Sequence, residues 1–109
     1  MYRLFNDLFV CTVPLTAACE RNSAALVAVL LNRGVLVNAA CNHGWTALQE
    51  AVCRNNTEIC EMLLKAGAKH TQTDMYGITP MFTAAQSGQL AALRLLLKHG
   101  TWTNELTNT

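Results

Sequence analysis

Apolar residues in this chain gather in three similar stretches: VPLTAACERNSAALVAVLLNRG, TALQEAVCRNNTEICEMLLKAG and TPMFTAAQSGQLAALRLLLKHG. Each holds a short segment, a break, and a second segment rich in leucine. In the second segments Leu26, Leu30 and Leu31 are matched by Ile59, Leu63 and Leu64, then by Leu93, Leu96 and Leu97. Spacings of three to five residues place such side chains on one helical face, so these residues are expected to face the core.

The stretches recur at a fixed step. Gly34, Gly67 and Gly100 are 33 residues apart, as are Pro14, Ala47 and Pro80; Ala18, Ala51 and Ala84; Asn22, Asn55 and Gly88; and Leu31, Leu64 and Leu97. Gly44 and Gly77 keep the same step. A constant period of this size signals stacked structural repeats. Thr46 and Thr79 stand where a hydroxyl can accept an orphan N–H of a first helical turn. Pro14 and Pro80 suit the first helical position, where no N–H is needed. Asn22, Asn55 and Gly88 tolerate the left-handed conformation that ends a helix, and glycines 34, 67 and 100 close the second one. Within GITPMFTAAQSG, Ala84 and Ala85 are expected to be small because their helix lies close against its neighbours. The first unit opens differently, with Val13 in place of the capping threonine and Cys11 where Gly44 and Gly77 stand.

These residues resemble the ankyrin repeat, with its Gly-x-Thr-Pro-Leu-His opening, paired alanines and a Leu-Leu pair before Gly-Ala. The resemblance implies an all-α ankyrin-repeat solenoid of stacked helix-turn-helix units with hairpin loops. About three repeats are expected, over residues 13–43, 44–76 and 77–104, with a degenerate capping segment at 1–12 and a truncated tail at 105–109. The family's histidine, which bridges backbone groups between neighbours, is Thr16, Gln49 and Phe82 here. Gln49 is able to replace part of that bridge; Phe82 is not. Leu93, Leu95, Leu96 and Leu97 are interleaved only with Arg94 and Lys98, as in an internal repeat, so the chain is expected to be a piece of a longer array.

The stretches GWTALQEAVCRNNTEICEMLLKAGAKHT and YGITPMFTAAQSGQLAALRLLLKHG are similar to ankyrin-repeat and SOCS-box proteins in particular. In that family the repeats capture a target protein, and a SOCS box binds elongin and a cullin so that the target is ubiquitinated. The resemblance therefore implies target capture, with elongin and cullin as partners only through a SOCS box not recognisable in these 109 residues. A free-standing ankyrin scaffold or inhibitor is the alternative.

Mapping the family's variable positions gives the expected contact residues. They are Asn42, His43 and Trp45 in one hairpin and Met75, Tyr76 and Ile78 in the next. The ends of the first helices add Glu20, Arg21, Cys53, Arg54, Gln86 and Ser87. Trp, Tyr, Met and Arg are types enriched where binding energy concentrates. For Trp45 and Ile78, packing against the neighbouring hairpin is an equal alternative; Met75 and Tyr76 are expected to touch a partner. The resemblance also makes Asn38 and Asn104 candidates for hydroxylation by an oxygen-dependent enzyme. Each has a leucine eight residues earlier, but Leu36 and Trp102 stand where an acidic residue is usual.

Composition narrows the chemistry. Eight Lys or Arg against seven Asp or Glu leave a formal net charge of +1, with no basic stripe for nucleic acid or a membrane surface. No apolar run reaches the ~18 residues of a membrane span, and Asn6 and Asp7 interrupt the first twelve residues before they form a signal peptide. Five cysteines, without a C-x-x-C pair, read as buried thiols of a cytoplasmic or nuclear protein. His43, His70 and His99 are too dispersed for a metal site. Cys53 with His43 is a conceivable nucleophile and base, but a thiol without an activating partner is the simpler reading. The glycines occur singly, so no phosphate loop forms. No enzyme activity, cofactor or metal is expected.

Overall fold

A computed structural model of the chain describes residues 13–99. Among them are six α-helices in three pairs: α1 (Pro14–Glu20) with α2 (Ala24–Asn32), α3 (Ala47–Cys53) with α4 (Thr57–Lys65), and α5 (Pro80–Ser87) with α6 (Leu90–Lys98). A short 3-10 turn, Asn42–Gly44, and an isolated antiparallel bridge between Ala40 and Thr46 shape the hairpin that precedes α3. The architecture is the all-α repeat stack expected from the period. Gly100, Cys11, Asn104 and the 1–12 and 105–109 segments lie outside the described residues.

The helix ends form where the side chains dictate. The Thr46 hydroxyl accepts the Gln49 N–H and that of Thr79 accepts the Phe82 N–H, each at 3.2 Å. Val13, at the same position before α1, has no side-chain oxygen, and its carbonyl accepts the Ala17 N–H. Asn22, Asn55 and Gly88 end the first helices with φ of 58°, 56° and 71°, the left-handed region that asparagine and glycine tolerate best. The second helices also have caps: Ser23 Oγ accepts the Leu26 N–H and Asn56 Oδ1 accepts the Ile59 N–H. Gln89 makes no such bond, and Asn55 of the preceding repeat reaches across to accept the Ala92 N–H at 3.1 Å.

Inner helices α1, α3 and α5 pack in one row and outer helices α2, α4 and α6 in another. Ala18, Ala51 and Ala84 are buried between inner helices, and Leu15, Leu48, Val52, Ile59, Leu63 and Leu96 fill the layer between the rows. Burying each of the larger side chains contributes roughly 1.5–3 kcal/mol, part of it through contacts with an adjacent repeat.

Several expected core positions differ. Leu26 is 43% exposed, whereas Val27 beside it is fully buried. Its counterpart Ile59 has a helix pair on either side and is inaccessible; Leu26 belongs to the first described pair. In the third unit the fixed step makes Ala92, not Leu93, the counterpart of Ile59. Ala92 and Leu96 are accordingly buried, while Leu97 is exposed and Leu93 half-buried. Of the alanine pair, Ala84 is buried and Ala85 exposed. Adjacent helical residues are about 100° apart, so only one of them faces the neighbouring helix.

Gln49 does form a bridge to the neighbouring repeat. The side chain is inaccessible; its Nε2 donates to the Ile78 carbonyl and its Oε1 accepts from Thr83 Oγ1, both at 2.8 Å and both in the next repeat. Thr16, at the same register, is too short for this, and its buried Oγ1 has no hydrogen-bond partner among the described residues. Phe82, half exposed, has no following repeat among the described residues to face.

Two isosteric substitutions separate these cases. Thr83→Val leaves the buried Gln49 oxygen without its donor and is expected to cost about 1–3 kcal/mol. Thr16→Val removes an unpaired hydroxyl and is expected to be neutral or stabilising. Denaturant midpoints at unchanged m-value check both; equal losses would contradict the bridge.

Candidate functional site

The hairpin before α5 is built around Asp74. This carboxylate is nearly buried, and its Oδ1 accepts the N–H groups of Tyr76 at 2.9 Å and Ile78 at 3.0 Å. The Gly77 N–H donates to the Asp74 carbonyl, closing a tight turn. Met75 and Tyr76 are left at its tip, 63% and 69% exposed. The hairpin before α3 has Cys41 in Asp74's register and keeps the backbone bonds without a carboxylate, with the Gly44 N–H on the Cys41 carbonyl at 3.0 Å.

The two tips are in contact. The His43 carbonyl accepts the Met75 N–H at 2.8 Å, and the His43 and Tyr76 rings stack at 6.1 Å and 22°. His43 itself has φ of 66°, which brings its carbonyl and ring to this neighbour. Gly44, at φ +78°, is required twice over: a Cβ there would lie 3.0 Å from Asp74 Cα and from Met75 N.

Behind the tips, a polar chain runs along α3. Trp45 Nε1 donates to Glu50 Oε1 and Arg54 Nε donates to Glu50 Oε2, each at 2.7 Å. Glu50 is largely buried by its two partners, while Arg54 is open to solvent. Asn42, His43, Cys53, Arg54, Met75, Tyr76, Gln86 and Ser87 are exposed, as is Arg21; Glu20 is half-buried. Trp45 and Ile78 are half-buried and engaged within the repeats, Trp45 through its indole and Ile78 through both backbone groups. The structure brings the hairpin residues together at adjoining tips and places the others at the ends of the first helices.

Sequence reasoning missed Asp74 and Glu50. The signals were present as an aspartate three residues before Gly77 and as the four-residue spacing of Glu50 and Arg54, which puts them on one helical face. Asn38, a candidate for hydroxylation, bonds the loop that follows α4. Its Oδ1 accepts the Lys69 N–H at 2.7 Å and its Nδ2 donates to the Gly67 carbonyl at 3.2 Å.

The thiols divide in two. Cys19 and Cys60 are buried, and desolvation pushes both up to about 12, helped at Cys19 by the nearby Glu50 charge. Cys53 is exposed and Cys41 half-buried. Among the described residues, no three His, Cys, Asp or Glu side chains group where a metal ion could be held, and no helix is long and apolar enough to cross a membrane.

At pH 8, iodoacetamide is expected to modify Cys53 in the folded chain and leave Cys19 and Cys60 untouched, read by peptide mass spectrometry. Because burial raises both thiols above their ordinary 9.0, the stability they contribute is complete below pH 9. It is lost as pH rises toward about 12, so the denaturant midpoint should fall over that window. Prompt native labelling of Cys60 would contradict its burial. Gly77→Ala bears only the backbone strain of a positive φ, about 1 kcal/mol. Gly44→Ala adds a clash with the next hairpin and should lower the melting temperature clearly further.

Comparison with known proteins agrees with this geometry. The family model described as ankyrin repeats (3 copies) matches residues 6–74, and that of a single ankyrin repeat matches residues 76–105. The putative ankyrin repeat protein YahD of Escherichia coli (strain K12) is 36% identical over 94 residues, covering 81% of this chain and 47% of that protein. Ankyrin repeat and SOCS box protein 3 of Homo sapiens is 47% identical over 47 residues, covering 43% of this chain and 9% of that protein. The potassium channel AKT3 of Oryza sativa subsp. japonica is 39% identical over 72 residues, or 65% of this chain and 8% of the channel. The chain thus spans less than half the length of each.

Proposed function

Because the chain belongs to the ankyrin-repeat family, an interaction fold and not a catalytic one, we propose that its hairpin tips and inner helices capture a target protein. The observation that carries this reading is the pair of apolar side chains, Met75 and Tyr76, held in solvent on a turn closed by Asp74. Exposing them gains nothing for the fold, and a partner that buries them gains their apolar surface.

The finer reading is that the repeats serve as the target-recognition part of a cullin-type ubiquitin ligase receptor. It rests on the likeness to ankyrin repeat and SOCS box protein 3. Elongin and a cullin would then be recruited through a SOCS box, acting in the cytoplasm or nucleus where thiols stay reduced. A scaffold or inhibitor independent of ubiquitination is the second reading, favoured by the broader match to the bacterial ankyrin protein.

Proximity labelling in the source cell tests the capture surface. Met75→Ser with Tyr76→Ser is expected to remove specific proteins from the labelled set while the melting temperature holds. An identical labelled set would refute the assignment of this face. Co-precipitation of elongin with the product of the full reading frame around these repeats decides the ligase reading.

A further inference from the structure

Arg54 is held in a way that repeat packing does not require. Its counterparts in the neighbouring units are Arg21 and Ser87; Glu50 corresponds to Ala17 and Thr83, and Trp45 to Thr12 and Ile78. The chain from indole to carboxylate to guanidinium therefore occurs in the middle unit alone, and α1 and α5 form without it. An exposed pair four residues apart on a helix contributes only about 0.3–0.5 kcal/mol. This one has more built around it. Glu50 is oriented by Trp45 Nε1 at 2.7 Å and spends its second oxygen on Arg54 Nε at 2.7 Å.

The geometry leaves a specific group unused. With Nε committed, the planar guanidinium is fixed, and its two Nη groups make no hydrogen bond among the described residues. They form the end-on edge, able to donate two parallel bonds to a carboxylate. Much of the rotamer entropy that a free arginine loses on binding is already lost here. The side chain is 42% exposed, so the edge is reachable.

We propose that Arg54, braced by Glu50 and Trp45, receives an aspartate or glutamate from an extended segment of the captured protein. This rests on the capture reading above and adds the chemistry of the partner. The stacked His43 and Tyr76, with Met75, form an apolar contact at the tips of the hairpins that precede α3 and α5. Arg54 follows the C-terminal end of α3, a helix length of roughly 10 Å from the end that the tip of His43 precedes. An extended peptide advances about 3.3 Å per residue and presents alternate side chains to one face. The segment therefore carries an aromatic or aliphatic residue on the same face as its acid, at an even spacing of about four positions or more.

A phage-displayed library of random 12-residue peptides, panned on the immobilised 109-residue chain, is the test. Enriched peptides are expected to share Asp or Glu at a constant even spacing, about four positions or more, from an aromatic or aliphatic residue. With a selected peptide made synthetically, Arg54→Met should weaken binding about tenfold. Replacing the peptide's acid by its amide should do the same, and the two changes together should cost no more than either alone. Trp45→Phe keeps the ring and removes the N–H; it should weaken the acidic peptide several-fold and leave the amide peptide unaffected. A general structural role for Trp45 would weaken both equally. Enriched peptides without a shared acidic position, or undiminished binding by Arg54→Met, overturn the proposal while leaving the capture surface standing. A library in which nothing is enriched overturns the capture surface itself, and this proposal with it.

Discussion

The inner helices lie against one another through alanine. Ala18, Ala51 and Ala84, one per repeat at the 33-residue step, are each no more than 3% exposed. A larger side chain at any of them would push two helices apart, and everything attached to their ends would move with them. Their close approach brings Gln49 within 2.8 Å of both Ile78 and Thr83. It also sets the hairpins at a separation where Gly44 meets the Asp74 backbone and the His43 ring lies over Tyr76. The surface at the tips is thus a consequence of packing in the inner row.

That dependence divides the residues of the repeat into two kinds. Those recurring at the period build the stack: the capping threonines, the left-handed Asn22, Asn55 and Gly88, and the buried alanines. Those breaking the period are free to differ because their side chains leave the stack. Met75 and Tyr76 replace Asn42 and His43 at the tips, and Ser87 stands where Arg21 and Arg54 end the other first helices. A one-dimensional array allows this separation, since each unit satisfies only its immediate neighbours.

The same one-dimensionality explains the apolar side chains at the two ends of the described stack. Leu26 and Val29 are exposed on α2, and Phe82, Leu90 and Leu97 on α5 and α6. Met81, Ala85, Leu93 and Leu97 line an open depression of about 320 Å³ on the last described pair. In the middle repeat the equivalent of Leu26 is the fully buried Ile59. Equivalent positions differ in exposure because part of the burial in a repeat comes from the neighbouring unit.

The fold was legible in the sequence because its constraints are local and repeated. A threonine one residue before a helix, a proline at its first position and an asparagine or glycine at its end act within a turn or two, and the 33-residue step announces them again. The exposed tip at Met75 and Tyr76 was legible for the same reason, as the variable part of an otherwise regular unit. What periodicity alone did not decide was every inward position: Leu93 looked like the core residue where Ala92 is, and Leu26 looked as buried as Ile59. Those outcomes depend on which side chains a neighbouring repeat covers. Tertiary structure alone decided that Gln49 reaches both Ile78 and Thr83, that Asn55 accepts the Ala92 N–H of the next unit and that the His43 ring lies over Tyr76. Hydrogen bonds between units depend on distances of a few tenths of an ångström, which only the packed stack sets.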